Sequence, residues 1–374
     1  MNDVNSNGAR ESAYLATLST LLFSASRGIS EPTPGRMPVE RALQYVSQLG
    51  DDDLKEFFHL ADVHHVTIRA LEVLKRAAAT CRLEELDGGL ELRLAAERKR
   101  ISTALEFLDA ICRALQAAGC PVIVIKSLDH WPDLGGDLDL FTSGERQEVI
   151  QVLTRECGAR VQPQSWGDRL ADKWNFQIPG LPELVECHVK CLGQTGEHLA
   201  LARRLEQRQV ERNVGGYVFP VAAPEERIII AALQRMYRHF YIRLCDLVNI
   251  AALIRNHEID YAKLKEAAEL GAIWPGVATL LVLVTQYAKD YGDDVEVPFE
   301  FIDRMQYSGV RTFVSRQFLR IPILPDGARL YTQQMISTGA TGDLRALARL
   351  SLLPALATAA YLGTRITGSD KGIW

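Results

Sequence analysis

The residues that decide the fold run Val122-Ile123-Val124-Ile125-Lys126-Ser127, then through a loop to Gly135-Gly136-Asp137-Leu138-Asp139-Leu140-Phe141. The β-branched run Val122–Ile125 reads as a buried strand. Asp137–Phe141 alternates with period two and reads as a second strand. On it Asp137 and Asp139 share one face, and Leu138 and Leu140 face the core. Two carboxylates so close repel unless a cation lies between them. Magnesium, a hard ion that takes oxygen ligands, is the usual answer. Gly135 and Gly136 let the backbone turn tightly into the strand. Ser127 ends the preceding strand, where a hydroxyl and backbone amides can hold phosphate oxygens, and Lys126 adds a positive charge. One sheet edge thus carries the equipment of phosphoryl or nucleotidyl transfer.

Upstream, Val39–Ala118 is helical in pattern, with Leu43, Val46 and Leu49, then Leu71, Leu74 and Ala78, at helical spacing. Asp87-Gly88-Gly89 marks a break. The next helix, about Leu90–Ala118, carries the stripe Leu92, Ala95, Ala96, Ile101, Leu105, Leu108, Ile111, Cys112 and Leu115, with Glu97, Arg98, Lys99 and Arg100 mainly outside it. Gly119 closes it, and Pro121 follows.

Downstream, Glu145–Cys157 reads as a helix, and Ala159–Gln162, Lys173–Ile178 and Glu183–Val189 as strands. In the last, Val185, Cys187 and Val189 form the apolar face, so Glu186 and His188 project together from the other. If this strand neighbours Asp137–Phe141, Glu186 completes the metal site. Pro224, followed by Glu225 and Glu226, opens a helical region expected to continue through Leu233–Ile254, Tyr261–Leu270 and Ile273–Tyr291.

Composition bounds the partners. The chain has 374 residues, 47% hydrophobic and 24% charged, with a formal charge of -5, which argues against a protein that coats nucleic acid. From Arg311 onward there are eight basic residues against three acidic ones, a local patch open to an anionic partner or to solvent. Seven cysteines without a repeating spacing fit reduced thiols and a cytoplasmic location rather than a disulfide framework or a zinc site. Leu350–Thr364 is too short to span a membrane; with basic flanks it suits a packed terminal helix or peripheral membrane contact. Trp131, in the loop over the site, is a candidate to stack on a base or to anchor the loop. His64 and His65, adjacent on a helix, point apart and make a poor metal clamp.

The ordered set Ile125-Lys126-Ser127, Gly136-Asp137-Leu138-Asp139-Leu140-Phe141, Val185-Glu186-Cys187-His188 and Arg243…Asp246 resembles the bacterial uncharacterised nucleotidyltransferase family, within the DNA polymerase β-like nucleotidyltransferase superfamily. The resemblance covers about Gly119–Ile254. It implies that Asp137, Asp139 and Glu186 are catalytic and bind Mg2+ (or Mn2+), and that Lys126, Ser127 and Gly136 contact the nucleotide, Ser127 at the β- and γ-phosphates. The implied reaction moves an NMP from an NTP to a hydroxyl or phosphate of a small molecule, sugar or peptide, releasing pyrophosphate. Lys126 stands where the superfamily usually has Gly, and Asp133 lies where the narrower family tends to place an Arg. These departures support a second reading, a catalytically inactive binding or scaffolding module.

The expected fold is α+β, a small mixed nucleotidyltransferase-like sheet with helical N- and C-terminal regions. The expected units are a partly ordered segment 1–38, a helical region 39–118, an α/β core 119–222 and a helical region 223–374.

Overall fold

The computed structural model describes residues 2–24, 39–81, 84–302, 312–315 and 317–367. Five helices come first: α1 (Asn2–Ser24), α2 (Val39–Ser47), α3 (Asp51–Val63), α4 (Thr67–Cys81) and α5 (Glu84–Ala117). In α1 the face Tyr14, Leu15, Leu18, Leu21, Leu22 and Phe23 is buried against the bundle. The Pro-rich turn cluster near 28–38 lies outside the described residues.

A seven-stranded mixed sheet follows, built from β1 (Val122–Val124), β2 (Asp137–Thr142), β3 (Arg160–Val161), β4 (Lys173–Gln177), β5 (Leu184–Val189), β6 (Gln209–Val214) and β7 (Tyr217–Ala222), in the order β3-β4-β5-β2-β1-β7-β6. Between strands lie α6 (Arg146–Glu156), α7 (Trp166–Leu170) and α8 (Leu199–Gln207). The pairing that matters is β2 with β5, parallel, with Asp139 opposite Glu186. Strand β1 is antiparallel to β2, and β4 is antiparallel to β5, with Lys173 opposite His188. The hairpin β6–β7, which sequence pattern did not pick out, turns on Gly215 and Gly216, both at positive φ (+61° and +90°), where glycine is favoured. Helix α5 lies against β1 and β7, its apolar row filling the space over the sheet.

The C-terminal part contains α9 (Pro224–Gln234), α10 (Leu244–Arg255), α11 (Tyr261–Leu270), α12 (Trp274–Asp290), α13 (Phe299–Ile302), α14 (Ala328–Ala340), α15 (Leu344–Leu350) and α16 (Leu353–Thr367). A small sheet joins β8 (Tyr241–Ile242), β9 (Phe313–Ser315) and β10 (Phe318–Arg320) in the order β8-β10-β9. The architecture is the expected α+β arrangement, with the mixed sheet between helical termini.

Three local expectations are corrected. The backbone stays helical through Asp87, Gly88 and Gly89, so no break stands there. Packing of the long helix outweighs a glycine penalty of about 1 kcal/mol each. The inward row of α5 is Leu90, Leu94, Ile101, Ala104, Leu105 and Leu108, whereas Leu92 is 76% exposed and Ala95 and Ala96 are exposed. Glu97 and Arg100 consequently turn partly inward. Finally, Leu233–Ile254 is not one helix. After α9 the chain makes a π-turn at Arg235–His239, passes through Phe240 at φ +52°, and runs as β8 before α10 begins. The Asp246 carboxylate accepts the Arg243 backbone N–H at 2.9 Å and so opens α10 afresh.

Two tail arginines bond internally: Arg345 donates to the Gly196 carbonyl (3.3 Å) and Arg349 to those of Leu170 (2.6 Å) and Thr195. Helix α16 is mostly exposed, with Leu362 open and Leu356 buried. Among the described residues no helix is long and apolar enough to cross a membrane, and six cysteines are free thiols. Leu108→Ala, which empties a fully buried site between α5 and the sheet, is expected to lower unfolding stability by about 2–5 kcal/mol in urea titration. A change under about 1 kcal/mol would contradict this placement of the core.

Candidate active site

At the end of β1 the chain makes a γ-turn. The Ser127 N–H donates to the Ile125 carbonyl at 2.6 Å, and Lys126 sits at φ +60°, ψ −60°. This conformation is strained for any residue with a Cβ. A single 3-10 turn, Ser127–His130, follows. The Ser127 hydroxyl accepts the Asp139 N–H at 2.7 Å and donates to the Asp137 carbonyl at 3.3 Å. Its hydrogen-bonding capacity is therefore taken up in fixing the turn to β2.

The turn throws the Lys126 ammonium onto the buried carboxylates. It contacts Asp139 and lies 3.4 Å from Glu186 Oε1 and 3.5 Å from His188 Nε2. From the next strand but one, Lys173 Nζ reaches Glu186 Oε2 at 2.9 Å and Asp168 at 2.8 Å. Asp168 is held in turn by a capping box with Ser165. Sequence reading did not single out Lys173, although its place on the polar face of β4 was a usable signal. Asp137 is exposed and carries no ion pair among the described residues.

The electrostatics follow from burial. Asp139 is pushed well above the ordinary carboxyl range by desolvation, with the Asp137 and Glu186 charges acting in the same direction and Lys126 only partly offsetting them. Glu186 is also desolvated, but Lys126, His188 and Lys173 hold it ionised, well below its ordinary value. His188 is neutral, lowered to about 4 by burial and then by Lys126, and its Nε2 lies 2.9 Å from Glu186 Oε1. Asp139 is thus pushed towards its neutral form, and further positive charge would be needed to hold it ionised. The ligand atoms of Asp139, Glu186 and His188 lie within 4.8 Å of one another, His188 facing the carboxylates through Nε2. The two carboxylates suit a hard divalent ion such as Mg2+ or Mn2+.

The loop leading to Gly136 is stapled from outside. Arg69 bonds Asp133 (2.7 Å), the His130 carbonyl (3.1 Å) and Asn249 (2.9 Å). Arg100 bonds the carbonyls of Leu134 (3.0 Å) and Gly135 (3.4 Å) and pairs with Glu183. Arg212 bonds the Leu128 carbonyl at 2.9 Å, and Arg227 pairs with Asp129 at 2.6 Å. Asp133 therefore belongs to a buried structural pair with Arg69. Trp131 packs partly buried against the core, beside the Gly215 turn. The Asp246 carboxylate pairs with Arg235 at 2.6 Å and accepts the Arg243 backbone N–H.

His64 and His65 do diverge. His64 bonds the Leu244 N–H (2.9 Å) and the Gln317 carbonyl (2.7 Å), while His65 packs edge-on against His130. His65, His130 and Cys245 form a second group of candidate metal ligands. Arg69 fixes the Asn249 oxygen, so the Asn249 amide donates to His130 Nδ1 at 3.1 Å. The proton of His130 then sits on Nε2, facing Cys245, and closes that nitrogen to a metal.

A family model described as "Uncharacterised nucleotidyltransferase" matches residues 50–289. The chain belongs to the uncharacterised nucleotidyltransferase family. Nucleotidyl transfer is the general activity that this membership supports. The family match starts well upstream of the sheet and takes in α3 to α5, the helices that carry Arg69 and Arg100. The nucleotidyltransferase-family chain is also similar to the mouse (Mus musculus) protein named procollagen-lysine,2-oxoglutarate 5-dioxygenase 2, 24% identical over 189 residues. That match covers 46% of this chain and 25% of the mouse protein, so the chain spans about a quarter of that relative's length. No solved structure matches.

Removing the Lys126 ammonium leaves two buried carboxylates short of a counter-charge. Lys126→Met should destabilise the fold by about 3–5 kcal/mol. Lys126→Gly should be milder by about 1–2 kcal/mol, because the φ strain goes with the side chain. Equal losses in urea titration would refute the strain argument.

Acid should also weaken the fold. His64 and His188 both lie near 4, so below about pH 6.5 the unfolded chain takes up protons that the folded one refuses. Asp133, raised to about 6 by burial, acts oppositely, since its folded form binds the proton first. Asp139 acts with Asp133, whereas His65, His130 and His239, all held well below the ordinary imidazole range, act with the two histidines, and stability should drop by roughly 2 kcal/mol from pH 7 towards pH 4.5. A denaturant midpoint flat over that range would contradict the burial of these imidazoles.

Proposed function

We propose that the chain is a metal-dependent nucleotidyltransferase that moves an NMP from an NTP to an acceptor hydroxyl or phosphate of a small molecule, sugar or peptide, with pyrophosphate as the other product. The observation that carries this reading is the register of β2 on β5. It sets Glu186 directly beside Asp139, two residues from Asp137, at the mouth of a stapled loop.

In this reading Asp137, Asp139 and Glu186 hold Mg2+ or Mn2+, with His188 a further donor. A divalent ion bound there would neutralise phosphate charge and orient the α-phosphorus for attack. Glu186 is the third carboxylate and, as the resemblance implies, helps deprotonate the acceptor; Lys173 and His188 keep it ionised and fixed as a ligand. Lys126 balances Asp139 in the free protein and reaches the phosphates when the nucleotide arrives. Ser127 shapes the turn through its bonds to β2, and open space around Gly136 leaves room for a phosphate near the backbone. A cleft of about 570 Å³ lined by His65, Thr67, Arg93, Glu97, Gly135 and Gly136 adjoins this end of β2 and suits entry of a polar acceptor.

One observation favours the second reading, an inactive module. Lysine ammoniums already compensate Asp139 and Glu186, as they would in a site that no longer takes a metal. Titration calorimetry with ATP, GTP, CTP and UTP, with and without Mg2+, separates the two. The expected result is Mg2+-dependent binding of at least one nucleotide, abolished in Asp137→Asn/Asp139→Asn. Folded protein that binds none of the four would sink the transferase reading in favour of the module.

A further inference from the structure

The broken helix at Arg235-Met236-Tyr237-Arg238-His239-Phe240-Tyr241-Ile242-Arg243 puts three arginines on a segment that meets the site. A π-turn at Arg235–His239 and the strand β8 replace a continuous helix there. Arg235 is buried and satisfied by Asp246 at 2.6 Å. Arg238 and Arg243 differ: among the described residues neither has a carboxylate partner. The Arg243 guanidinium lies 5.8 Å from the centre of the Tyr241 ring, and its Nε is buried with no acceptor. Tyr241 is itself stacked on Phe318 with ring centres 4.2 Å apart, so the platform under Arg243 is fixed. Arg238 lines a small cavity shared with Lys173, His188, Gly193 and Gln194, which places it beside the groups that bind Glu186. The Gln194 side chain ties that loop to the π-turn through the Tyr237 carbonyl at 3.3 Å.

Between them stands His239, held well below its ordinary value by burial and then by Arg238, Arg235, Arg243 and Lys126. The His239 ring lies 5.2 Å from the Tyr241 ring, over which the Arg243 guanidinium sits, so His239 links the Arg238 and Arg243 ends of the segment. Lys126 and Arg235 are matched by protein carboxylates, whereas Arg238 and Arg243 have no carboxylate partner among the described residues and are suited to an anion from solution. The Ser127 hydroxyl, which the family resemblance would assign to the phosphate tail, is occupied by β2.

We propose that Arg238 and Arg243 form the subsite for the β- and γ-phosphates of the NTP. This inference rests on the nucleotidyl-transfer reading for the identity of the anion. Guanidinium is the suitable group, since its planar fork makes two parallel bonds to phosphate oxygens. The polyphosphate would lie along the π-turn, with the nucleoside end towards Gly136.

The test is calorimetry on the full chain with Mg2+ and, in turn, tripolyphosphate, the four NTPs and the corresponding NMPs. Arg238→Gln and Arg243→Gln should each weaken tripolyphosphate and NTP about tenfold or more while leaving NMP binding unchanged. Arg238→Lys and Arg243→Lys, which keep the charge but lose the planar fork, should weaken binding less than the glutamine changes do. Because removal of either charge relieves repulsion, the glutamine variants should melt no lower than the parent; a clear drop would mark the arginines as structural and overturn the proposal. NTP binding that survives both glutamine changes but is lost in Asp137→Asn/Asp139→Asn would overturn the subsite and leave the transferase reading standing. Tripolyphosphate binding that depends on both arginines, with no NTP bound, would uphold an anion subsite and defeat the transferase reading. A folded parent that binds neither would overturn both.

Discussion

The structure is organised around two carboxylates, Asp139 and Glu186, buried side by side in adjacent parallel strands. Leaving such charges uncompensated would cost several kcal/mol each. Compensation comes from both directions along the sheet: Lys126 from the turn after β1 and Lys173 from the start of β4. Each lysine imposes a local structure. Lys126 reaches Asp139 through a γ-turn, and Lys173 also takes Asp168, which is held at the head of the short helix α7 by Ser165. Irregular pieces of the central region are thus consequences of charge balance on β2 and β5.

The second organising feature is the loop that joins β1 to β2. Its turns expose carbonyls and Asp side chains that a sheet ladder does not satisfy. Arg69, Arg100, Arg212 and Arg227, from α4, α5, β6 and α9, satisfy them. The N-terminal helices and the C-terminal helix α9 therefore meet at this loop as well as through the apolar core. The family match, which begins at residue 50, embraces these outlying arginines together with the strands. A unit that needs α4 and α5 to hold its Gly135-Gly136 approach is larger than the sheet alone.

What was legible in the sequence is what local pattern encodes. Period-two alternation gave the strands that became β2, β4 and β5, and put Glu186 and His188 on the polar face. The gap between Val189 and Pro224 hid the β6–β7 hairpin, where Arg212, Asn213 and Pro220 obscure the alternation. Helical spacing located α5 and its buried face from Ile101 to Leu115, but missed at the N-terminal end, where Leu92 is apolar yet exposed, while Arg100 is charged yet turned inward to Glu183 and the loop carbonyls. Nothing within a few residues of Arg100 announces Glu183. Likewise the break after α9 follows from long-range partners. Apolar spacing runs on from Ile228 to Ile254, but Asp246 serves Arg235 and the Arg243 backbone at once, and β8 pairs with β10 far along the chain.

Lys126 concentrates the logic of the site. The superfamily resemblance places glycine there, and φ +60° is the kind of backbone position that glycine adopts without strain. A lysine at such a position is retained against a strain of about 1–3 kcal/mol. What it gains is partial compensation of Asp139, which burial and two neighbouring carboxylates still push towards the protonated form. The lysine thereby divides the Asp-x-Asp pair into unlike members: Asp139 is buried and internally compensated, Asp137 exposed and without an ion pair among the described residues. A cation arriving from solvent meets Asp137 first and gains Asp139 only by sharing it with Lys126. Because an ammonium and a divalent ion repel, that sharing favours moving the ammonium onto an incoming anion. Phosphate and metal are then expected to bind together more tightly than either binds alone, a coupling that follows from one side chain in one strained turn.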